Sequence, residues 1–302
     1  MSDIKILHLS DIHFMKKKSK KKEVDENKLF RQDVQQKLID TVSSHLEENS
    51  APEVVAVTGD IVFSGKKPEY VEALEFFKKL KGILPKETEF FAVPGNHDVD
   101  RDQLDEFVEP YYVVKNDLVD KLLQQPEKIK KKINVKFEAF REFSRQLNPT
   151  FYKPGDDYFW VKNYQAKNVS FLGLNSAWAC EGDQDRFNIA LGLSQVLAAI
   201  KKSREAQIAN RIVLMHHPPF NWLKDLESGE CPVELFKNSQ LLLFGHTHSD
   251  KAMVFKDPTS SCICLGANAS YTEDKDGFIG FQFLEVEFIE KARGVRVKVW
   301  PY

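Results

Sequence analysis

The sequence predicts an α/β fold, on three observations. Short apolar runs alternate with stretches of helical period through the first hundred residues, in the order strand, helix, strand, helix, strand. Runs such as Val54-Val55-Ala56-Val57 and Leu241-Leu242-Leu243-Phe244 are apolar at every position, as expected of strands covered on both faces. Neither an internal repeat nor a linker-like stretch interrupts the 302 residues, which points to a single domain.

Composition is that of an ordinary globular chain, 42% apolar and 29% charged, with a formal net charge of −2. A balance so close to neutral gives no general argument for a polyanion partner. The cysteines, Cys180, Cys231, Cys262 and Cys264, form no CxxC pair and read as reduced thiols. The chain opens Met1-Ser2-Asp3-Ile4-Lys5 without an apolar leader. Since no apolar run approaches the ~18 residues that span a bilayer, a cytoplasmic location without membrane association is expected.

In chain order, Ile4 to Ser10 is a strand ending in Asp11-Ile12-His13. Residues i and i+2 of an extended backbone point the same way, so Asp11 and His13 suit one metal ion, although a D-x-H triplet alone is more often a surface loop than a ligand pair. Lys16 to Lys22 carries six lysines in seven residues. It is either a solvated loop or a phosphate-attracting rim. Leu29 to Leu46 is helical, with Phe30, Val34, Leu38, Val42 and Leu46 as its core stripe and His45 beside it as a structural residue. The strand at 54–57 ends in Thr58-Gly59-Asp60. Pro68 to Leu80 is a helix with proline near its first turn. Glu89 to Val93 is a strand that leads into Pro94-Gly95-Asn96-His97-Asp98.

Residues 101–149 break this rhythm. They read as two or three inserted helices, with Phe137, Phe140, Phe143 and Leu147 at helical spacing. The insertion either caps the crevice or packs as an outer layer. Tyr158 to Tyr164 and Val169 to Asn175 form a hairpin, Leu193 to Glu205 a helix, and Arg211 to Met215 a strand stopped by His216-His217-Pro218-Pro219. Leu241 to Phe244 is a strand ending in Gly245-His246-Thr247-His248. Met253 to Trp300 is strand-rich, with Phe278 to Phe288 pairing with Val295 to Trp300.

Five apolar runs therefore end in Asp, Asn or His, and ligands of parallel α/β sheets bind beyond such carboxyl ends. The donors are oxygen and imidazole with no thiolate. That combination does not suit a closed structural zinc site and suits open-coordinated divalent ions, with one carboxylate shared between two of them.

In this order, DIH (11–13), GD (59–60), GNHD (95–98), HH (216–217) and GHTH (245–248) resemble the blocks of the calcineurin-like metallophosphoesterases. The resemblance covers most of the chain outside about 101–165. It implies a four-layer α-β-β-α sandwich of two mixed sheets with two divalent ions (Mn, Fe, Zn, Ni or Mg) at one end. Carried over by position, Asp11, His13, Asp60 and His248 hold one ion, and Asp60, Asn96, His216 and His246 the other. His216 is preferred to His217 because the family's ligand stands two places before the proline. The implied reaction is phosphate-ester hydrolysis by a hydroxide activated between the ions, with His97 as general acid and Asp98 holding its ring. Asp98 is alternatively a helix cap. The LSDIHF, GNHD and HHPP forms resemble the cyclic-nucleotide phosphodiesterase branch, so a phosphodiester is the expected substrate, with nucleotides among the candidates. A nuclease of the same family is the alternative, with nucleic acid the less favoured partner. A metal-binding regulatory or interaction module is the reading from a different class.

Overall fold

The structure is a computed structural model that describes residues 3–15, 26–103, 134–151, 159–180, 189–220, 222–223, 225–256, 260–272, 279–289 and 294–302. The lysine run at 16–22 and the larger part of the 101–149 insertion lie outside the described residues.

Two mixed sheets form the centre. The five-stranded sheet has the order β11-β10-β1-β2-β3, with β1 at Asp3–Leu9, β2 at Val54–Val57, β3 at Glu89–Ala92, β10 at Gln282–Ile289 and β11 at Gly294–Pro301. The six-stranded sheet has the order β4-β5-β6-β7-β9-β8. Here β4 is Phe159–Tyr164, β5 Val169–Leu174, β6 Asn210–Leu214, β7 Leu241–Phe244, β8 Ala252–Lys256 and β9 Ser261–Gly266. β1, β2 and β3 are mutually parallel, as are β5, β6, β7 and β9. The remaining strands, β4, β8, β10 and β11, pair antiparallel. The first three strands follow the parallel α/β pattern, and the hairpins at the outer strands make both sheets mixed.

Side-chain alternation explains the layers. Val54 and Ala56 of β2 join Ile4, Ile6 and Phe91 in an inner cluster with Phe171, Ile212, Leu214, Leu241 and Leu243 of the other sheet. Val55 and Val57 turn outward, onto Leu38, Val42, Phe76, Phe77 and Phe143. These belong to helices α1 (Glu26–Glu48), α2 (Lys67–Ile83) and α3 (Glu138–Leu147). On the far side, Leu172, Val213, Leu242, Cys262 and Cys264 meet Val196, Ala199 and Leu235 of α4 (Leu193–Glu205) and α5 (Asp225–Asn238). A strand buried on both faces has no polar face to show, and that is the origin of the unbroken apolar runs. The result is the four-layer sandwich.

Two elements, α1 and α5, differ from the sequence reading. In α1, Phe30 is exposed, and Ile39 joins Val34, Leu38 and Val42 in the buried stripe. Helix α3, within the described part of the insertion, packs in the outer helical layer through Phe140, Phe143 and Leu147, one of the two placements that the sequence leaves open. Helix α5 is not expected from the sequence, because Gly229 and Pro232 inside it read as breakers. His45 is structural, stacked on Phe283 at 3.6 Å and hydrogen-bonded through Nδ1 to the Tyr302 hydroxyl at 2.8 Å. All four cysteines are buried. No helix among the described residues is long and apolar enough to cross a membrane.

Phe91 is fully buried between the sheets, its ring 5.0 Å from Phe151, 5.2 Å from Trp160 and 6.0 Å from Phe171. Phe91→Ala should cost about 3–5 kcal/mol in urea denaturation. Leu29→Ser, at a site 54% exposed, should stay within about 0.5 kcal/mol.

Candidate metal centre

The parallel strands of both sheets bring their carboxyl ends to one edge, and backbone bonds lock those ends together. The Asp11 N–H donates to the Gly59 carbonyl, and those of Ile12 and His13 to the Asp60 carbonyl, each at 3.0 Å. Between the sheets, the His246 N–H donates to Asp11 Oδ2 at 3.0 Å. The Gly245 N–H donates to the His216 carbonyl at 3.0 Å.

Seven positions expected to bind metal (Asp11, His13, Asp60, Asn96, His216, His246 and His248) converge at this edge. One ligand atom from each of Asp11, His13 and His248 lies within 4.8 Å of the other two, and the same holds for Asp11, Asp60 and His216. His216 Nε2 stands 3.1 Å from Asn96 Oδ1, 3.2 Å from His246 Nδ1 and 3.3 Å from Asp60 Oδ2. Two further triplets include neighbours, His13-Asp60-His97 and His216-His217-His246. His217 has partners at both ring nitrogens, Ser176 Oγ at 2.9 Å and Cys180 Sγ at 3.9 Å. His216, by contrast, is tied at Nδ1 to the Thr58 carbonyl at 2.7 Å. That bond fixes its tautomer and leaves Nε2 aimed at the donors, as an imidazole ligand requires.

The convergence is not achieved in the expected way. Asp11 and His13 both have φ of 52°, Asp60 50°, His246 66° and His248 47°. These are left-handed conformations and not extended ones, so the i, i+2 argument fails for Asp11 and His13, and the backbone at His246 and His248 is turned in the same way. Non-glycine residues tolerate this region poorly, at about 1–3 kcal/mol each, and such strain gathers at functional sites. Gly59, at φ 92°, takes the same kind of turn; a Cβ there would also stand 2.6 Å from His216 Nδ1. Gly95 serves differently. Its φ of −105° is ordinary, and what it supplies is space, because a Cβ would reach 2.5 Å from the Asp60 amide nitrogen.

Asp98 is the main correction. Its carboxylate turns away from the His97 ring. Fully buried, it accepts from the N–H groups of Ile61 and Val62 at 3.2 Å, from Gly95 N–H at 2.8 Å and from the Tyr70 hydroxyl at 2.8 Å. It therefore staples the Asp60 loop to the Gly95 turn, closer to the capping alternative than to an orienting role. Burial and the neighbouring Asp60 push its carboxyl up to about 6, against the downward pull of those donors. His97 is held instead by Phe63, whose carbonyl lies 2.8 Å from Nδ1. The backbone carbonyls of Thr58 and Phe63 have no sequence signature, so nothing in the sequence points to either residue.

Charge decides what the cluster can hold. Asp11 and Asp60 are 0% and 2% exposed, and ionised carboxylates buried side by side require compensating positive charge. Asp11 Oδ1 and His13 Nδ1 are buried without a hydrogen-bond partner; His248 Nε2 stands 3.3 Å from that oxygen. Burial opposes ionisation of Asp60, yet His216 and His13 hold its carboxyl well below the usual range. His13 is pushed down to about 4, chiefly by burial, and His246 to about 3 by burial and His216. Both rings are thus neutral, the state in which imidazole binds metal. Burial also acts against a charged His216, but Asp60 and Asp11 overcome it and push the ring up to about 9. Hard oxygens, neutral imidazoles and unpartnered polar atoms at one point fit divalent cations.

Removing the Asp98 carboxylate should loosen the site's frame. Asp98→Ala leaves three N–H groups and a tyrosine hydroxyl without their acceptor, and thermal unfolding should show a loss of about 1–3 kcal/mol. An unchanged melting temperature would contradict the stapling role.

Comparison with known proteins agrees with this geometry. The sequence pattern described as calcineurin-like phosphoesterase matches residues 4–250, a span that contains every donor named above. No curated protein matches the chain. Among solved structures, wild-type Vps29 complexed with Zn²⁺ from Entamoeba histolytica is 12% identical, with 99% of each chain covered and a TM-score of 0.37. A single mutant of that Vps29 is 11% identical over the same coverage, at 0.36. A hypothetical protein from Thermus thermophilus is 12% identical, again over 99% of both chains, at 0.43. With the family pattern spanning most of its length and the two-sheet fold beneath it, the chain belongs to the calcineurin-like phosphoesterases.

Proposed function

We propose that the protein is a metal-dependent hydrolase of phosphodiesters. The observation that carries the reading is the pair of buried carboxylates, Asp11 and Asp60, surrounded by imidazoles at the meeting edge of two sheets. In this reading Asp11, His13, Asp60 and His248 hold one divalent ion. Asp60, Asn96, His216 and His246 hold a second, with Asp60 shared. Bound there, the ions would supply Lewis acidity and a water of lowered pKa.

The other contributions belong to the chain. Asp60 is fixed for a shared role by accepting the His97 N–H on Oδ1 at 2.8 Å while Oδ2 faces His216. Asn96 presents its amide oxygen at the same point. His97, partly exposed, donates a proton from Nε2 to the departing alkoxide. The tautomer left behind carries its proton on Nδ1, the nitrogen that the Phe63 carbonyl accepts from, so the residue is preorganised for the transfer. The preference for diesters rests on the LSDIHF, GNHD and HHPP forms, and the triplets containing His97 and His217 define the residues to be tested against the assignment.

Five outcomes are expected. Loaded with Mn²⁺, the protein should cleave bis(4-nitrophenyl) phosphate or a cyclic nucleotide faster than an aryl monophosphate. A faster monoester would refute the diester preference, and EDTA should abolish turnover. Asp60→Asn should lose both metal, by elemental analysis, and activity. His97→Ala should keep its metal and lose about 10²–10⁴-fold in kcat on esters with poor leaving groups. Metal binding should release a proton from His216, held near 9 in the free site. Affinity should therefore weaken as pH falls below about 9, and calorimetry in buffers of different ionisation enthalpy should report the proton.

A further inference from the structure

We infer that Phe63 forms an aromatic subsite for the leaving group, so that the enzyme favours esters whose departing alcohol carries a planar ring, such as a phenol or a nucleoside. The inference rests on the proposed hydrolytic reading and on the place of His97 in it. Its residues run on from the Asp60 loop. Ile61 and Val62 are fully buried, but the next side chain, Phe63, is 45% exposed. Single exposed apolar side chains are ordinary, and three contacts make this one different. The Phe63 N–H donates to the Phe14 carbonyl at 3.0 Å, and its own carbonyl holds His97 at 2.8 Å. The two preceding N–H groups are bound by the buried Asp98 carboxylate. Phe63 therefore projects from a fixed backbone. Its ring centroid lies 5.1 Å from that of His97, at an interplanar angle of 38°, and 6.3 Å from that of His13.

An exposed aromatic face thus stands beside the residue assigned to protonate the leaving oxygen. A planar group attached to that oxygen would cover the face, remove apolar area from water and gain the offset stacking that aromatic pairs prefer. The aromatic at the other end of the donor cluster does not offer this. Trp222 meets His246 edge-on, with centroids 4.0 Å apart at 89°, and packs into the core behind β6 and β7, so it acts as a wall for His246.

The test uses the Mn²⁺-loaded protein and two methyl phosphodiesters whose leaving groups are of similar acidity. One is phenyl, the other hexafluoroisopropyl. The readout is the ratio of their kcat/KM values, which cancels any common effect on His97. Phe63→Ala should lower the phenyl preference by about three- to tenfold, the size of one aromatic stacking contact. Phe63→Leu, which keeps apolar bulk without a flat face, should lower it similarly, and Phe63→Tyr should retain it. An unchanged ratio in Phe63→Ala and Phe63→Leu overturns the subsite. Calorimetric binding of phenylphosphonate and methylphosphonate separates this proposal from the hydrolytic one. A wild-type protein that turns over neither ester but prefers phenylphosphonate, with the preference lost in Phe63→Leu, refutes hydrolysis and keeps the subsite. Equal binding of the two phosphonates by wild type refutes the subsite.

Discussion

The structure depends on placing two carboxylates, Asp11 and Asp60, where water does not reach them. Burying a charge without compensation is expensive, and much of the surrounding architecture answers that cost. The Asp60 carboxylate takes a backbone N–H from His97, Asp11 takes one from His246, and protonatable imidazoles close in on both. The same demand explains the sheet edge. Only where several parallel strands end together can so many donors converge without crossing the core, and the two sheets supply strand ends from opposite sides.

The backbone carries a second part of that cost. Five donor residues sit in left-handed conformations, a concentration that packing alone would select against. Their strain is sustained by a rigid frame behind them. The buried Asp98 carboxylate ties the β2 and β3 loops, and the apolar layers on both sides of each sheet hold the strands that carry them. Stability from the core is thereby used at the edge. This is also why Gly95 matters despite its ordinary φ, since the space it leaves lets the Asp60 loop approach.

Much of this was legible in the sequence, and the illegible parts share a cause. Unbroken apolar runs at 54–57 and 241–244 reported burial on both faces, and α4 occupies the residues that its pattern indicated. The donor residues were legible because each motif follows a strand. Their geometry was not, because a left-handed turn leaves little mark when Asp and His adopt it. Asp98 misled because adjacency to His97 in the chain suggested adjacency in space, whereas its carboxylate turns back to the Asp60 loop. The contacts of His97 and His216 are made by main-chain carbonyls, which every residue possesses. Helix α5 was hidden by Gly229 and Pro232, where tertiary packing of Cys231 and Leu235 outweighs local propensity.

The pairing order of the five-stranded sheet has a consequence for how the molecule is made. β1, which carries Asp11 at its end, lies between β2 and β10, and β10 begins only at Gln282. As the chain leaves the ribosome, β1 can pair on one side once β2, ending at Val57, has emerged, but it waits for the whole chain between Val57 and Gln282 to be covered on the other. His216, His246 and His248 also arrive late. These donors beside Asp60 and Asp11 thus come from residues more than 150 positions further along the chain. Pairing β1 with β10 closes a contact of high sequence separation, the kind of contact that folds slowly.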